Sequence, residues 1–183
     1  MEKEFRLILE EIENCLENSD FHQLKNFIEI ILSAENIIIF GAGRVGFVMK
    51  SFSMRLNHLG LNSYFLGDTN VPASGRKDLL IVGSGSGTTK SVSEMVSLAK
   101  KNNLQVICVT ANPNSTIAKN SSATIFLKAP NKFDLMIPRF SKQPMTTLFE
   151  QSLFITLDSI VLKLMEELNQ NHDLMSERHN VLE

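Results

Sequence analysis

The segment Leu79-Leu-Ile-Val-Gly-Ser-Gly-Ser-Gly-Thr-Thr-Lys90 carries the strongest structural signal in this chain of 183 residues. Residues 79–82 form a short apolar run rich in branched side chains, which is typical of a strand buried on both faces. A helical pattern opens directly behind the loop, with apolar side chains on one face at Val92, Met95, Val96 and Ala99. The segment therefore predicts a buried strand, a loop rich in glycine and hydroxyl groups, and the N-terminus of a helix.

The loop between this strand and this helix has the chemistry of an anion-binding site. Its glycines, including Gly85 and Gly87, let the backbone turn and approach a ligand closely, while free amide N–H groups and the helix dipole favour negative charge. Four hydroxyl groups add donors, with no cationic side chain between them: Ser84, Ser86, Thr88 and Thr89. This mixture suits a sugar phosphate. The alternative is an ordinary β–α turn with a hydroxyl cap, and the combination of glycines and hydroxyls favours the anion site over it.

Length, charge and composition limit the classes of protein to which the chain can belong. It is long enough for one domain with a real core, and its net charge of −2 comes without the basic cluster that a nucleic-acid surface needs. The longest apolar runs are too short to span a bilayer, and the acidic N-terminus is unlike a signal peptide. Cys15 and Cys108 have no partner at metal-ligand spacing, which indicates buried thiols in a reducing compartment. The sequence therefore predicts a cytoplasmic protein with no nucleic-acid or membrane partner.

Apolar runs and helical patterns alternate along most of the chain. The predicted strands are residues 37–40, 62–66, 79–82, 105–110 and 123–127. Strands that alternate with helices predict an α/β fold, in which a parallel sheet lies between two layers of helices. Ligands bind such sheets at the carboxyl ends of the strands, where Thr110 and Asn112 also lie. Ser115 follows them and is interpreted as a helix N-cap.

Further helical patterns lie outside this alternation. Residues 2–18 carry an amphipathic stripe, and Asp20 is the expected N-cap of a second helix before the first strand. These two helices exceed what a doubly wound sheet needs, so they are interpreted as cover for a partner subunit. Residues 128–143 show no period and predict a loop. The chain is thus expected to be one domain, with N-terminal helices in 1–34, a core in 35–168 and a helical tail in 169–183.

A second glycine-rich turn follows the first predicted strand. Gly41, Gly43 and Gly46 have the spacing of the dinucleotide fingerprint, and a helix opens behind them. A dinucleotide fold also needs an acidic residue at the end of the second strand to hold the ribose. Asp68 lies later than that position, in a segment that is more typical of a turn. A dinucleotide site therefore remains an alternative to the sugar-phosphate site.

Glu150 stands near the start of the longest predicted helix, residues 146–168, and has two interpretations. Apolar residues follow it on one face at Leu153, Phe154, Leu157 and Val161. A carboxylate at the head of such a stripe is partly withdrawn from water, which suits a general base near neutral pH. The segment Thr147-Leu-Phe-Glu150 is also a capping box, in which the glutamate bonds back to the cap. The spacing supports both roles, whereas Asp158 lies off the stripe and is interpreted as solvated or facing a partner.

Six motifs, taken together, resemble those of the sugar isomerase (SIS) domain and, within it, of the 6-phospho-3-hexuloisomerases of the ribulose monophosphate pathway of formaldehyde assimilation. They run from the first strand to the C-terminus in the order and spacing of that family. The motifs are Gly41-Ala-Gly-Arg44, Met54-Arg-Leu-Asn-His-Leu-Gly60, Ser84-Gly-Ser-Gly-Thr-Thr-Lys90, Asn112-Pro-Asn-Ser-Thr116, Thr147-Leu-Phe-Glu-Gln151 and Arg178-His-Asn-Val-Leu-Glu183. The resemblance implies five parallel strands in the flavodoxin-like order, a homotetramer, and no cofactor or metal.

The resemblance also implies roles for individual residues. The serine and threonine loop would hold the phosphate, and Asn112 lies at the same edge. Glu150 falls on the family's proposed catalytic base, which favours the base over the cap. His58 and His179 match histidines of the family pattern, and either would reach the pocket of a neighbouring subunit. Arg44 is expected either to steady substrate oxygens or to remain solvated.

Two positions depart from the family pattern. Val45 stands where these enzymes usually have serine, so only the backbone can contact a ligand there. Thr88 stands where the loop usually has glutamate, which removes a carboxylate from the pocket edge. Neither departure removes the expected base, but both leave room for a shifted substrate.

The activity that the resemblance implies is the interconversion of D-arabino-3-hexulose 6-phosphate and D-fructose 6-phosphate. One carboxylate on one face of a 2,3-enediol can take the proton from C2 and return one at C3. Hexulose-phosphate synthase would be the functional partner, because it supplies this substrate. A non-catalytic sugar-phosphate-binding module is the alternative from another class, since SIS domains also serve in regulators.

Overall fold

The computed structural model describes residues 1–130 and 141–182. Most of the loop predicted over 128–143 therefore lies outside the described residues, and so does Glu183 at the end of the predicted tail. The described part contains a single sheet with helices on both faces, as the alternating pattern predicts.

Five parallel strands form the sheet in the order β2-β1-β3-β4-β5, which confirms the expected architecture. Their bounds are β1 Ile37–Gly41, β2 Ser63–Phe65, β3 Leu79–Ser84, β4 Gln105–Thr110 and β5 Ala123–Phe126. All six residues of β3 are buried, because this strand lies in the middle of the sheet with helices on both sides. The strand order changes direction between β1 and β3, where Gly41 pairs with Gly83. A crevice is expected beyond the carboxyl ends of these two strands.

Seven helices surround the sheet within the described residues. Their bounds are α1 Glu2–Glu17, α2 Leu24–Ser33, α3 Gly43–His58, α4 Lys90–Lys101, α5 Thr116–Lys119, α6 Thr147–Glu167 and α7 His172–Ser176. Helices α1, α2, α3 and α6 share one core cluster with Ile39 and Ile81, while α4 and α5 share the other with Ile38 and Leu80. Successive strand residues thus face opposite layers, each burial contributing about 1.5–3 kcal/mol.

The two N-terminal helices are part of this domain's own packing. Phe27 and Ile31 of α2 are fully buried, and the linker after α1 covers the edge of the sheet. Asp20 forms an antiparallel bridge with Phe126 of β5, and the Gln23 side chain accepts a hydrogen bond from the backbone N–H of Thr124 at 2.8 Å. The linker thereby occupies backbone groups that an open edge strand would expose.

The predicted N-cap of α2 is wrong. The helix begins at Leu24 after Gln23, and the Asp20 carboxylate instead accepts a hydrogen bond from the backbone N–H of His22 at 3.0 Å. Asp20 is held away from the helix because its own backbone pairs with β5. Edge pairing between distant segments has overridden the local capping preference.

Candidate active site

A cavity of about 330 Å³ opens beyond the carboxyl ends of β1 and β3, at the predicted crevice. Three segments line it: residues 42–45 after β1, residues 83–86 with Thr89 at the end of β3 and just beyond it, and residues 144–147 with Glu150 at the start of α6. The structure therefore brings both glycine-rich turns and the candidate base to one place, although they are far apart in sequence.

The hydroxyl groups of the loop after β3 converge on one another. Ser84 Oγ lies 3.0 Å from Thr89 Oγ1, and Ser86 Oγ lies 3.4 Å from the same atom. Ser84 and Ser86 are buried, and Thr89 is the N-cap residue of α4 without a side-chain cap bond. The three hydroxyls sit at a helix N-terminus, where donors and the helix dipole suit an anion.

Gly87 has a structural role in the loop. Its φ is +64°, and a Cβ added there would lie 2.1 Å from Ser115 Oγ. Ser115 is the N-cap of α5 and accepts a hydrogen bond from the backbone N–H of Ala118, which confirms the predicted cap. The loop can approach α5 this closely only because residue 87 has no side chain.

Thr88 and Asn112 lie at the outer and rear sides of the loop. Thr88 is exposed, and its backbone N–H donates to Ser86 Oγ at 3.3 Å. Asn112 Nδ2 donates to the Ser86 carbonyl at 3.2 Å, so this side chain supports the loop from behind. The structure therefore gives both residues contacts within the loop, and the cavity is lined by the hydroxyls of Ser84, Ser86 and Thr89.

The turn after β1 forms the opposite wall. A Cβ at Gly46 would lie 2.7 Å from the carbonyl oxygen of Gly41, which explains the glycine spacing by close packing of helix and strand. Val45 is buried against Gly83, so the position where the family has serine presents a methyl group. The Asp68 carboxylate accepts a hydrogen bond from Lys50 at 3.0 Å, a contact that a dinucleotide ribose would have to displace.

The predicted capping box at Glu150 is wrong. The N-cap of α6 is Thr146, with no side-chain cap bond, and Thr147 is the first helical residue. Thr147 Oγ1 donates instead to the Pro144 carbonyl at 2.7 Å. Glu150 is therefore one position beyond the place from which a capping glutamate reaches back, and its side chain is directed into the cavity.

The Glu150 carboxylate is buried and has two defined neighbours. The Thr146 hydroxyl donates to Oε1 at 2.8 Å, and Arg44 Nε lies 2.9 Å from Oε2. The Arg44 contact is an ion pair without a well-directed hydrogen bond, because Oε2 has no hydrogen-bond partner of acceptable geometry. Only 8% of the Glu150 side chain is exposed, against 66% for Arg44. The buried carboxylate thus keeps a lone pair on Oε2, beside a cationic side chain that can move into solvent.

The structure separates His58 and His179 from Glu150 within one chain. Their rings lie 5.3 Å apart and line a second cavity of about 570 Å³ between α3, α6 and α7. Arg55 contacts His58 Nδ1 at 3.2 Å, and Arg178 donates to the His58 carbonyl at 3.1 Å. Val161, which lines this second cavity, is eleven residues beyond Glu150, an axial distance of about 16 Å along a helix.

The sequence predicts no site role for several residues that line the active-site cavity, among them Thr146 and Met145. Thr146 contacts the candidate base directly, and the threonine four positions before the glutamate was the available signal. Met145 lines the cavity with its side chain 87% exposed and with a φ of +53°. No sequence signal marks a methionine for a left-handed conformation, which glycine or asparagine usually adopts.

Three further observations concern the described ranges 1–130 and 141–182. No cluster of histidine, cysteine, aspartate and glutamate there is arranged to hold a metal ion. No helix in those ranges has the length and apolar character needed to cross a bilayer. Burial raises the pKa of the Cys15 and Cys108 thiols, which keeps both protonated and unreactive.

The chain is similar in sequence to the SIS domain and to two proteins named 3-hexulose-6-phosphate isomerase. The sequence profile of the SIS domain matches residues 30–157, which include every strand and Glu150. A protein of Bacillus subtilis (strain 168) named 3-hexulose-6-phosphate isomerase is 36% identical over 96% of this chain and 95% of that protein. A protein of Mycobacterium gastri with the same name is 33% identical over 97% of this chain and 88% of its own length.

A solved structure shares the fold over the full length. This protein of Methanococcus jannaschii, whose structure was taken to infer a molecular function of 3-hexulose-6-phosphate isomerase, superposes with a TM-score of 0.83 at 32% identity. The superposition covers 99% of each chain, so the N-terminal helices and the tail are included with the sheet.

Proposed function

Because the chain belongs to the SIS domain family, we propose that it is a 3-hexulose-6-phosphate isomerase, which interconverts D-arabino-3-hexulose 6-phosphate and D-fructose 6-phosphate. The observation that carries the proposal is the position of Glu150. A buried carboxylate shares one cavity with the hydroxyl loop at the N-terminus of α4, so a proton acceptor faces the anion site.

Glu150 acts as the base in this proposal. Its carboxylate takes the proton from C2 of the 3-ketose, and the C–H electrons form the C2–C3 double bond while the C3 carbonyl oxygen gains a proton. The resulting 2,3-enediol then loses its C2 hydroxyl proton, which balances the proton gained at the C3 oxygen, and Glu150 returns its proton to C3 to give the 2-ketose. No redox partner is needed, since the two carbons exchange oxidation states within one molecule.

Arg44 and Thr146 prepare the carboxylate for this role. The Thr146 hydroxyl fixes Oε1, which leaves Oε2 as the atom that accepts the proton. Arg44 lies next to Oε2 and is largely exposed, so it can turn toward the developing enediolate oxygen when substrate enters. Positive charge near that oxygen stabilises the transition state more than the ground state.

The phosphate binds to the loop after β3 in this proposal. Ser84, Ser86 and Thr89 bond to one another in the free protein, and these hydroxyls can turn toward phosphate oxygens. The amide groups of the loop and the dipole of α4 add to the attraction. Binding energy from the phosphate end then orients C2 and C3 against Glu150.

We also propose that the protein works as a homotetramer. Support comes from apolar side chains exposed on α3 and α6, namely Phe47, Met54, Phe154, Ile155 and Leu162. Apolar groups gathered on neighbouring helices favour burial against another protein surface. Leu162 also lines the cavity that holds His58 and His179, so a neighbouring copy on this face would cover these histidines.

The remaining expectations complete the proposal. The chain works as a single domain in the cytoplasm, a reducing setting that fits its two free, buried cysteines, Cys15 and Cys108. Hexulose-phosphate synthase supplies the substrate, because the 3-ketose is the form that an aldol addition to a pentulose phosphate produces.

The test is direct turnover. Purified protein is mixed with D-arabino-3-hexulose 6-phosphate, generated in place by the synthase, and fructose 6-phosphate is followed by a coupled assay. Replacing Glu150 by Gln should lower kcat by about 10²–10⁴-fold, because the amide cannot take up the proton. Glu166→Gln is the matched control on α6, since Glu166 is exposed and pairs only with Lys163 at the surface in the described contacts.

Thermal unfolding separates the alternatives. Stabilisation of both the wild type and Glu150→Gln by fructose 6-phosphate would support binding at an intact site. Stabilisation without turnover in the wild type would favour a non-catalytic sugar-phosphate-binding module. Stabilisation by a nicotinamide dinucleotide, and not by sugar phosphates, would favour the dinucleotide alternative.

A further inference from the structure

Glu11, on the N-terminal helix α1, makes a concentrated contact with a distant segment of the chain. Its Oε2 accepts hydrogen bonds from Ser141 Oγ at 2.6 Å and from Gln143 Nε2 at 3.0 Å, and its Oε1 accepts one from the backbone N–H of Lys142 at 2.7 Å. Ser141 Oγ also accepts from the backbone N–H of Gln143. One carboxylate therefore fixes three consecutive residues that lie about 130 positions away.

The charge of Glu11 makes this contact strong. Burial alone would raise the pKa of Glu11, but the hydrogen bonds from Ser141, Lys142 and Gln143 outweigh it and lower the pKa below its ordinary value. The side chain is therefore a carboxylate near neutral pH. Hydrogen bonds to an ionised acceptor are about twice as strong as those between neutral groups.

The fixed segment continues directly into the wall of the active-site cavity. Residues 144–147 follow, and all four line the cavity beside Glu150. The Thr147 hydroxyl and backbone N–H both return to the Pro144 carbonyl, which closes a tight turn. Thr146 then donates to Glu150 Oε1. A displacement of residues 141–143 would therefore also move the Thr146 hydroxyl, which orients the candidate base.

We propose that Glu11 is a positioning residue for the isomerase reaction. It fixes residues 141–143 and thereby holds the Thr146 hydroxyl against Glu150, without touching the substrate. This role rests on the proposed function. It means that α1, which carries Glu11, also contributes to the geometry of the active site. Helix α1 precedes residues 30–157, the part of the chain that the SIS profile matches, so the site depends on an element outside the matched segment.

The first test compares steady-state kinetics of four proteins: the wild type, Glu11→Ala, Glu11→Gln and Glu13→Ala. Glu13 is an exposed carboxylate on the same helix and serves as the matched control. Glu11→Ala should lower kcat about tenfold or more with a much smaller change in KM, because a small misplacement of a reacting group is costly while the phosphate loop is intact. Glu11→Gln keeps one acceptor oxygen and should lie between the wild type and Glu11→Ala, and Glu13→Ala should match the wild type.

A double-mutant cycle tests whether the effect passes through Thr146. Thr146→Val removes the hydroxyl with little change in shape, so adding Glu11→Ala to it should lower kcat only slightly further. If Glu11→Ala lowered kcat as much in the Thr146→Val variant as in the wild type, the effect of Glu11 would not pass through Thr146. Amide hydrogen exchange of residues 141–150 should be faster in Glu11→Ala than in Glu13→Ala, and equal exchange in the two variants would also contradict the proposal.

The outcomes separate this role from the proposed function. A wild-type protein without turnover would overturn the proposed function. An active wild type with an equally active and folded Glu11→Ala variant would overturn the positioning role alone.

Discussion

Of the three segments that line the active-site cavity, the phosphate wall and the base wall are built in different ways. The phosphate wall, residues 83–89, makes its hydroxyl contacts within a few positions of sequence, as in the pairs Ser84–Thr89 and Ser86–Thr89. The base wall, residues 141–150, depends on contacts from Glu11 and Arg44, which lie more than a hundred positions earlier. The hydroxyl contacts of the phosphate wall are thus local, although Asn112 also supports this loop, while the base wall is assembled by contacts between distant segments.

The two walls should also differ in local stability. The phosphate wall continues from β3, which is buried along its whole length, and packs against α5 through Gly87. The base wall enters α6 through a turn in which Met145 has a positive φ, and Glu11 anchors the segment just before that turn. Residues 142–147 of the base wall are exposed or half-buried, and segments with few buried apolar contacts open more easily than core strands. Perturbations of the phosphate wall should therefore act on folding and substrate binding, and perturbations of the base wall should act on turnover.

The largest effect on the phosphate wall is expected from Gly87→Ala. The new methyl group would overlap Ser115 Oγ, displacing the N-cap of α5, and the residue would keep a φ of +64°. We expect the free energy of unfolding to fall by about 2–4 kcal/mol, from backbone strain of 1–2 kcal/mol plus overpacking. Urea denaturation measures the loss, and KM for the sugar phosphate should rise as the loop moves.

Gly43→Ala is the control for that experiment. Gly43 has nearly the same positive φ, +59°, but a Cβ there meets no atom within 4 Å. It therefore reports the cost of backbone strain without steric overlap. If Gly43→Ala destabilised the protein as much as Gly87→Ala, close packing against Ser115 would not be the reason for the glycine at position 87.

A single hydroxyl of the phosphate wall should affect binding and leave the chemistry unchanged. Ser86→Ala removes a buried hydroxyl that lines the cavity, and the loss of a hydrogen bond to a charged phosphate should raise KM about tenfold. Since the phosphate is held equally in the ground state and the transition state, kcat should stay near its wild-type value.

Thr88→Val gives the matched comparison, because Thr88 is exposed on the outer side of the same loop. Its KM should change much less than that of Ser86→Ala. Equal increases in KM would mean that Thr88 reaches the phosphate, as the family pattern alone suggested.

The difference between the walls also explains what the sequence could predict. The strand–loop–helix signal at residues 79–90 is local, so the five-stranded sheet and the hydroxyl loop followed from pattern and glycine chemistry. The capping box at Thr147 was wrong by one residue because the turn at Pro144 sets where α6 begins. The Asp20 cap was wrong because pairing with β5 decides the path of the linker. The contact of Glu11 with residues 141–143 joins segments whose approach no local pattern encodes.

On the base wall, acid should release the contact made by Glu11. Its folded-state pKa is lowered below the ordinary value of 4.5 by its hydrogen bonds, so its contribution to stability is complete above that value and is lost as the pH falls through the lowered pKa. At pH 7, Glu11→Gln should lower the free energy of unfolding by about 1 kcal/mol, a modest value because solvent partly screens the site.

Denaturation curves at a series of pH values measure this effect. The difference between the wild type and Glu11→Gln should shrink below about pH 4.5 as the wild-type carboxylate takes up a proton. Glu13→Gln, at an exposed position of α1, should stay close to the wild type throughout. If the free energies of unfolding of the wild type and Glu11→Gln differed by the same amount in strong acid as at pH 7, the charge of Glu11 would not be what holds residues 141–143.

The smallest effect is expected at Met145, where the base wall stores backbone strain. Its φ of +53° disfavours any side chain with a Cβ, and the methionine is 87% exposed, so its replacement forfeits little buried area. Met145→Gly should therefore be more stable than Met145→Ala by about 1 kcal/mol, because glycine adopts this conformation without steric cost. The thermal midpoints of the two variants measure the difference.

Relative to the wild type, the stability of Met145→Gly should change little, since relief of strain is offset by the greater freedom of glycine in the unfolded chain. If Met145→Ala proved as stable as Met145→Gly, the turn would rearrange to a negative φ on substitution.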